Sequence, residues 1–196
     1  MRNFRPSPPA NYRISVSALL ISTIFLIQPS LAENTTTTVS ETQVQYNLDT
    51  LPAKARETMN RIMAAARSGD VDELRAALEW NELPPEIGAD NKTDPITYWK
   101  KQSSNGSVHG IMAKMLEIFE RGFTVHNEGD KNEQASYAWP YLAAKNLKTL
   151  KPHEDVDLLR LATPDEVKSM KATGKYSGYR AVIGADGTWH SFKKTQ

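Results

Sequence analysis

Arg2, Arg5 and Arg13 precede a predominantly apolar run over 14–27, Gln28 and Pro29 break it, and Ser30-Leu31-Ala32 offers small residues where a signal peptidase reads. A run this short falls below the roughly 20 residues that a helix needs to cross a bilayer core. Residues 1–32 therefore read as a secretory signal peptide cleaved after Ala32, which leaves the remaining chain to fold outside the cytoplasm without a membrane anchor. It must do so without covalent staples, because the sequence contains no cysteine. Disulfides, thiol chemistry and thiolate metal sites are excluded, and so is a lipidated cysteine tether. About 160 residues remain, enough for one packed core but short of two comfortable domains.

Cleavage also removes three arginines and no acid from 24 basic and 23 acidic side chains, which leaves a net charge of −2. That balance offers no basic surface for nucleic acid, and no block of like charges marks an anionic-membrane patch. The chain is expected to be soluble and periplasmic or secreted, with a protein or cell-envelope partner.

The stretch 33–47 is Thr-rich and lacks apolar periodicity, so it is expected to be a disordered, dispensable leader before a single globular domain over 48–196. Leu51, Ala55, Met59, Ile62, Met63 and Ala66 recur at helical spacing until Ser68-Gly69. Asp70 and Glu73 then open a second helix carrying Val71, Leu74, Ala77 and Leu78. A Pro/Gly loop over 81–91 leads to Asp94-Pro95, an N-cap with Pro in the first turn. Residues 108–121 give the most hydrophobic helix of the mature protein, 123–125 read as extended, and 135–146 read as helix entered or interrupted at Pro140. Residues 152–161 give another helix, and Thr163-Pro164-Asp165-Glu166 is a capping box. At the end, 179–183 and 188–192 flank Asp186-Gly187 as a β-hairpin. The expected fold is mainly α, helical hairpins packed in one domain with a C-terminal β-hairpin, and α+β if that hairpin extends to a sheet.

Two resemblances follow from these residues. Ala65-Ala66-Arg67-Ser68-Gly69-Asp70 with Leu74 and Leu78 resembles the helical hairpin of an ankyrin repeat, and 88–90 with 94–96 and 116–122 give a second, looser echo. Gly69 and Gly106 stand 37 residues apart. The expected period is about 33, so the likeness is one of local packing. Taken in order, AARSGDVDEL, NELPP, DPITYWK, YAWPY and GADGTWHSF resemble a family of small exported proteins of Gram-negative bacteria. That resemblance implies periplasmic placement and carries over no activity, substrate or site.

Catalytic signals are sparse. His109, His126, His153 and His190 show no metal-ligand spacing, and His126, Glu128 and Asp130 lack the ligand order of a calcium loop. There is no Gly-x-Ser-x-Gly elbow and no phosphate-binding glycine loop. No catalytic residue, metal ligand or cofactor is assigned. Tyr137, Trp139 and Tyr141 in YAWPY, together with His190 beside Trp189, are the candidate binding residues, because aromatic faces serve sugars, peptides and partner proteins. In a helix Tyr137 and Tyr141 would share a face. The preferred reading is a non-catalytic interaction or binding module. The alternative is a small cell-wall-directed hydrolase or ligand-binding enzyme using carboxylates near the aromatic cluster.

Overall fold

Apolar residues three and four apart build one buried side of α1, Ala53–Ser68, where Ala55, Met59, Ile62, Met63 and Ala66 are all shielded. The computed structural model describes residues 43–88, 93–126 and 135–195. The signal-peptide residues, most of the leader, and Glu128 and Asp130 lie outside that set. Gly69 ends α1 with φ +72°, and Asp70 caps α2, Val71–Glu79, by accepting from the Asp72 amide at 2.8 Å. Asp94 caps α3, Pro95–Gln102, through the Thr97 amide. The apolar run ahead of Gly122 forms α4, His109–Phe119. After it come α5, Pro152–Leu161, and α6, Pro164–Thr173, the latter opened by the Thr163–Glu166 capping box. None of the described helices is long and apolar enough to cross a membrane.

The strands overturn the expected fold class. The C-terminal pair, β4 over Tyr179–Gly184 and β5 over Trp189–Lys194, forms two strands of a five-stranded antiparallel sheet rather than an isolated hairpin. The others are β1, Val44–Gln45, β2, Phe123–His126, and β3, Ser136–Trp139, in spatial order β1-β2-β3-β4-β5. The molecule is α+β, and mainly α is incorrect. Residues 135–146 are not a helix: four of them are strand, Pro140 follows through a cis peptide, and Tyr141–Ala144 is a short 3-10 turn. A four-residue strand is too short to display period-two alternation, and the four-residue spacing of Tyr137 and Tyr141 imitates a helix.

Register assigns the faces. Tyr137 pairs with Val125 and Ile183, and Trp139 pairs with Ala181, so these side chains line one face with Phe123. That face is the core: α1 and α4 pack across β4. Trp139 meets Phe119 and Phe123 at ring distances of 5.3 and 5.1 Å, and Trp99 meets Phe192 edge-on at 5.9 Å. Val44 pairs with Thr124 and Gln45 with Phe123. Val44 and Gln45, which lie within the expected leader, therefore belong to the sheet.

Candidate functional site

The four expected binding residues do not converge on a surface. Tyr137, Trp139 and Tyr141 are buried, whereas His190 is exposed on β5 next to buried Trp189. The Tyr141 hydroxyl donates to Asp157 at 3.0 Å, and Tyr46 covers its ring edge-on at 5.6 Å. Burial, with help from Tyr46 and Asp157, drives the Tyr141 hydroxyl far above the ordinary tyrosine range and keeps it protonated. Asp157, the carboxylate beside this cluster, is engaged by Arg121 at 3.5 Å. Rings enclosed in this way cannot stack on a ligand, and their role is packing.

A different corner of the molecule carries exposed apolar side chains. After α2 the chain does not turn into solvent but crosses the outer edge of β5. The Asn81 side chain donates to the Trp189 carbonyl at 2.8 Å and accepts from the Trp189 amide at 3.1 Å. Further along, the Glu86 amide donates to the His190 carbonyl and the Phe192 amide donates to the Glu86 carbonyl, at 2.8 and 2.9 Å. These bonds fix a loop in which Pro85 and Ile87 are buried while Glu82, Leu83 and Pro84 are exposed. Trp80 is 68% exposed and Leu83 75% exposed. Tryptophan is highly buried on average, so an indole left out on a pinned loop is the informative exception.

The indole stacks on a cation. The Arg61 guanidinium lies 3.8 Å from the centroid of the Trp80 ring, and Glu57, one helical turn earlier, holds Arg61 at 2.9 Å. Below this stack α1 is tied to the β4–β5 turn by Thr58, whose hydroxyl donates to the Gly187 carbonyl at 2.7 Å. Gly187 has φ +91°, and a Cβ there would stand 3.1 Å from Lys54 Cβ, so glycine is needed for both conformation and approach. Asp186 closes the turn by accepting from the Thr188 amide and hydroxyl at 2.9 and 3.0 Å. The Thr188 amide is the largest influence holding its carboxyl below the usual range. Together these groups border an open cleft of about 440 Å³, with Lys54 and Glu82 also on its rim.

Three carboxylates, Glu57, Glu82 and Asp186, border this cleft. Asp186 is pushed down, opposite to what a general acid requires, and Glu57 is committed to Arg61. Among the described residues Ser107 Oγ lies 2.8 Å from His109 Nδ1, Nε2 of that ring stands 3.2 Å from the Gly69 carbonyl, and Ser107 Oγ also accepts from the His109 amide at 3.1 Å. That is the bonding of a helix start. His126 Nε2 stands 3.0 Å from the Thr124 hydroxyl on its own strand. Among the described residues, no group of three or more His, Asp or Glu side chains could hold a metal ion.

Sequence reasoning passed over Trp80, Leu83 and Arg61. One signal was available: Trp80 falls outside the Leu74, Ala77, Leu78 stripe of its helix and immediately precedes a Pro-rich loop. No family model, curated protein or solved structure matches this chain.

Proposed function

We propose that the protein is exported to the periplasm, freed of residues 1–32, and acts there as a non-catalytic binding module whose contact surface is the Trp80–Leu83 corner. The observation that carries this reading is a two-thirds exposed tryptophan stacked on a salt-bridged arginine, on a loop fixed to the sheet edge. Trp and Arg are enriched among residues that dominate binding energy, and a pre-fixed loop avoids part of the ordering cost of association. Leu83, three residues further along the chain, supplies exposed apolar area, and Lys54 and Glu82 supply a polar rim. The partner is a protein segment that packs an apolar residue between Trp80 and Leu83.

The test is capture from a periplasmic extract with immobilised protein, comparing the parent with Trp80→Ala. Trp80 contributes to folding mainly through its stack with Arg61, worth about 0.5–1 kcal/mol at an exposed site. The variant should therefore melt within roughly 4 °C of the parent. Its partner should be lost from the captured fraction. Undiminished capture by Trp80→Ala and by Leu83→Ser would remove this surface from consideration.

A further inference from the structure

On the far side of α4 from α1, a second and more enclosed cavity of about 270 Å³ lies between α4, the α5–α6 turn, α6 and the start of β4. Its floor is apolar: Ile118, Leu161, Met170 and Tyr176 are all buried there. Two ammonium groups reach its rim. Lys114 donates to the Leu161 carbonyl at the end of α5 at 2.9 Å, and Lys194 lies 5.7 Å from the centroid of the Tyr179 ring. Neither lysine forms a salt bridge with a carboxylate among the described residues. The one acid lining the cavity, Glu166, lies in the field of both lysines, but its Oε2 already accepts from the Thr163 amide and hydroxyl at 2.8 and 2.9 Å. Those bonds come from neutral groups and leave the Glu166 charge in place, so two ammoniums against one carboxylate leave a net of one positive charge at the mouth.

We propose that this cavity binds a small amphipathic organic anion, a monocarboxylate with its head between Lys114 and Lys194 and its apolar body over Ile118, Met170 and Tyr176. Sites for small molecules combine apolar walls with a few placed polar groups, which is the composition found here. At about 270 Å³ the cavity stands near the lower end of the roughly 300–1,000 Å³ range of small-molecule sites, which suits a small ligand. Charge-assisted hydrogen bonds from the two ammoniums would select the anion over a neutral analogue, and a buried phenyl or alkyl body would exclude inorganic phosphate. The site is separate from the Trp80 corner, and its occupancy does not depend on what that corner binds.

Titration calorimetry of the purified protein with 3-phenylpropionate, octanoate and neutral 3-phenylpropanamide tests the assignment. The carboxylates should bind at one site with Kd of about 1 mM or tighter, the amide about tenfold more weakly. Lys194→Met, at an exposed position near the end of β5, should weaken the carboxylates about tenfold and leave the amide unchanged, while Lys194→Arg retains binding. Met170→Trp should fill the floor and abolish binding of both. No saturation by roughly 10 mM, equal affinity for amide and acid, or unchanged affinity in Lys194→Met would each overturn the proposal. Since Lys194 is exposed, its variants keep the test valid even if Met170→Trp fails to fold.

Discussion

Two tryptophans close together in the fold, Trp80 and Trp189, have opposite environments. Asn81, next in sequence to Trp80, hydrogen-bonds the backbone of Trp189, yet Trp189 is 1% exposed and packs on Phe192 while Trp80 faces solvent. Trp189 also satisfies its indole N–H, which donates to the Ser191 carbonyl at 3.1 Å. Its removal leaves a cavity that the surrounding rings cannot close, so Trp189→Ala should cost about 3–5 kcal/mol. Urea denaturation would register this as a lower midpoint at unchanged slope. A midpoint near that of the parent would show that the rings around Trp189 can collapse into the space.

At the scale of elements, β1 is the piece whose importance is easiest to underestimate. It is two residues long, but it brings Tyr46 onto Tyr141, and Gly122 lies so close that a Cβ there would meet the Gln45 carbonyl at 2.8 Å. A chain starting at Asn47 loses the strand and this ring pair. An aromatic pair alone is worth about 0.5–1.5 kcal/mol beyond burial. The truncated protein should therefore melt several degrees lower, roughly 2–4 °C for each kcal/mol lost, whereas removal of 33–42 alone serves as the comparison. This reverses the expectation from composition, in which the Thr-rich stretch as far as residue 47 was dispensable.

Helices were legible in the sequence because each offered two independent signals. α1 combines a six-residue apolar stripe with a glycine stop, and α6 a capping box with Pro at its first position. The turn residues Asp186-Gly187 likewise revealed β4 and β5. By contrast β1 and β3, two and four residues long, left no local trace, and of β2 the extended stretch 123–125 was legible but its pairing was not. The candidate site was harder still. Aromatic clustering marked YAWPY, but clustering is equally a property of cores, and what sets Trp80 apart is a loop pinned by Asn81 and Glu86 to a strand more than a hundred residues away.

For the whole molecule, the charges that matter to folding are carboxylates. Asp94, Glu154, Glu166 and Asp186 all have pKa values below their ordinary ones. At Glu166 and Asp186 the leading cause is the amide of Thr163 and of Thr188; at Asp94 and Glu154 burial acts upward but is outweighed, by Thr97 with Arg75 and by Lys151 with Lys145. Over the interval between lowered and ordinary values the unfolded chain binds more protons than the folded one, so acid favours unfolding. The stabilisation is complete above the ordinary carboxylate range near pH 4 and is lost as pH falls through the lowered values. Urea midpoints should be flat from about pH 7 to about pH 5 and decline below about pH 4; a midpoint that rises on acidification would contradict this assignment. The strap over β5 has a further consequence. Because Asn81 and Glu86 occupy backbone groups that an open strand edge would offer to another chain, while Trp80, Glu82, Leu83 and Pro84 are exposed, the loop separates a fixed clasp from a variable tip. Such a division would let the tip be varied in a designed library confined to those four positions while the clasp keeps that stretch of the β5 edge covered.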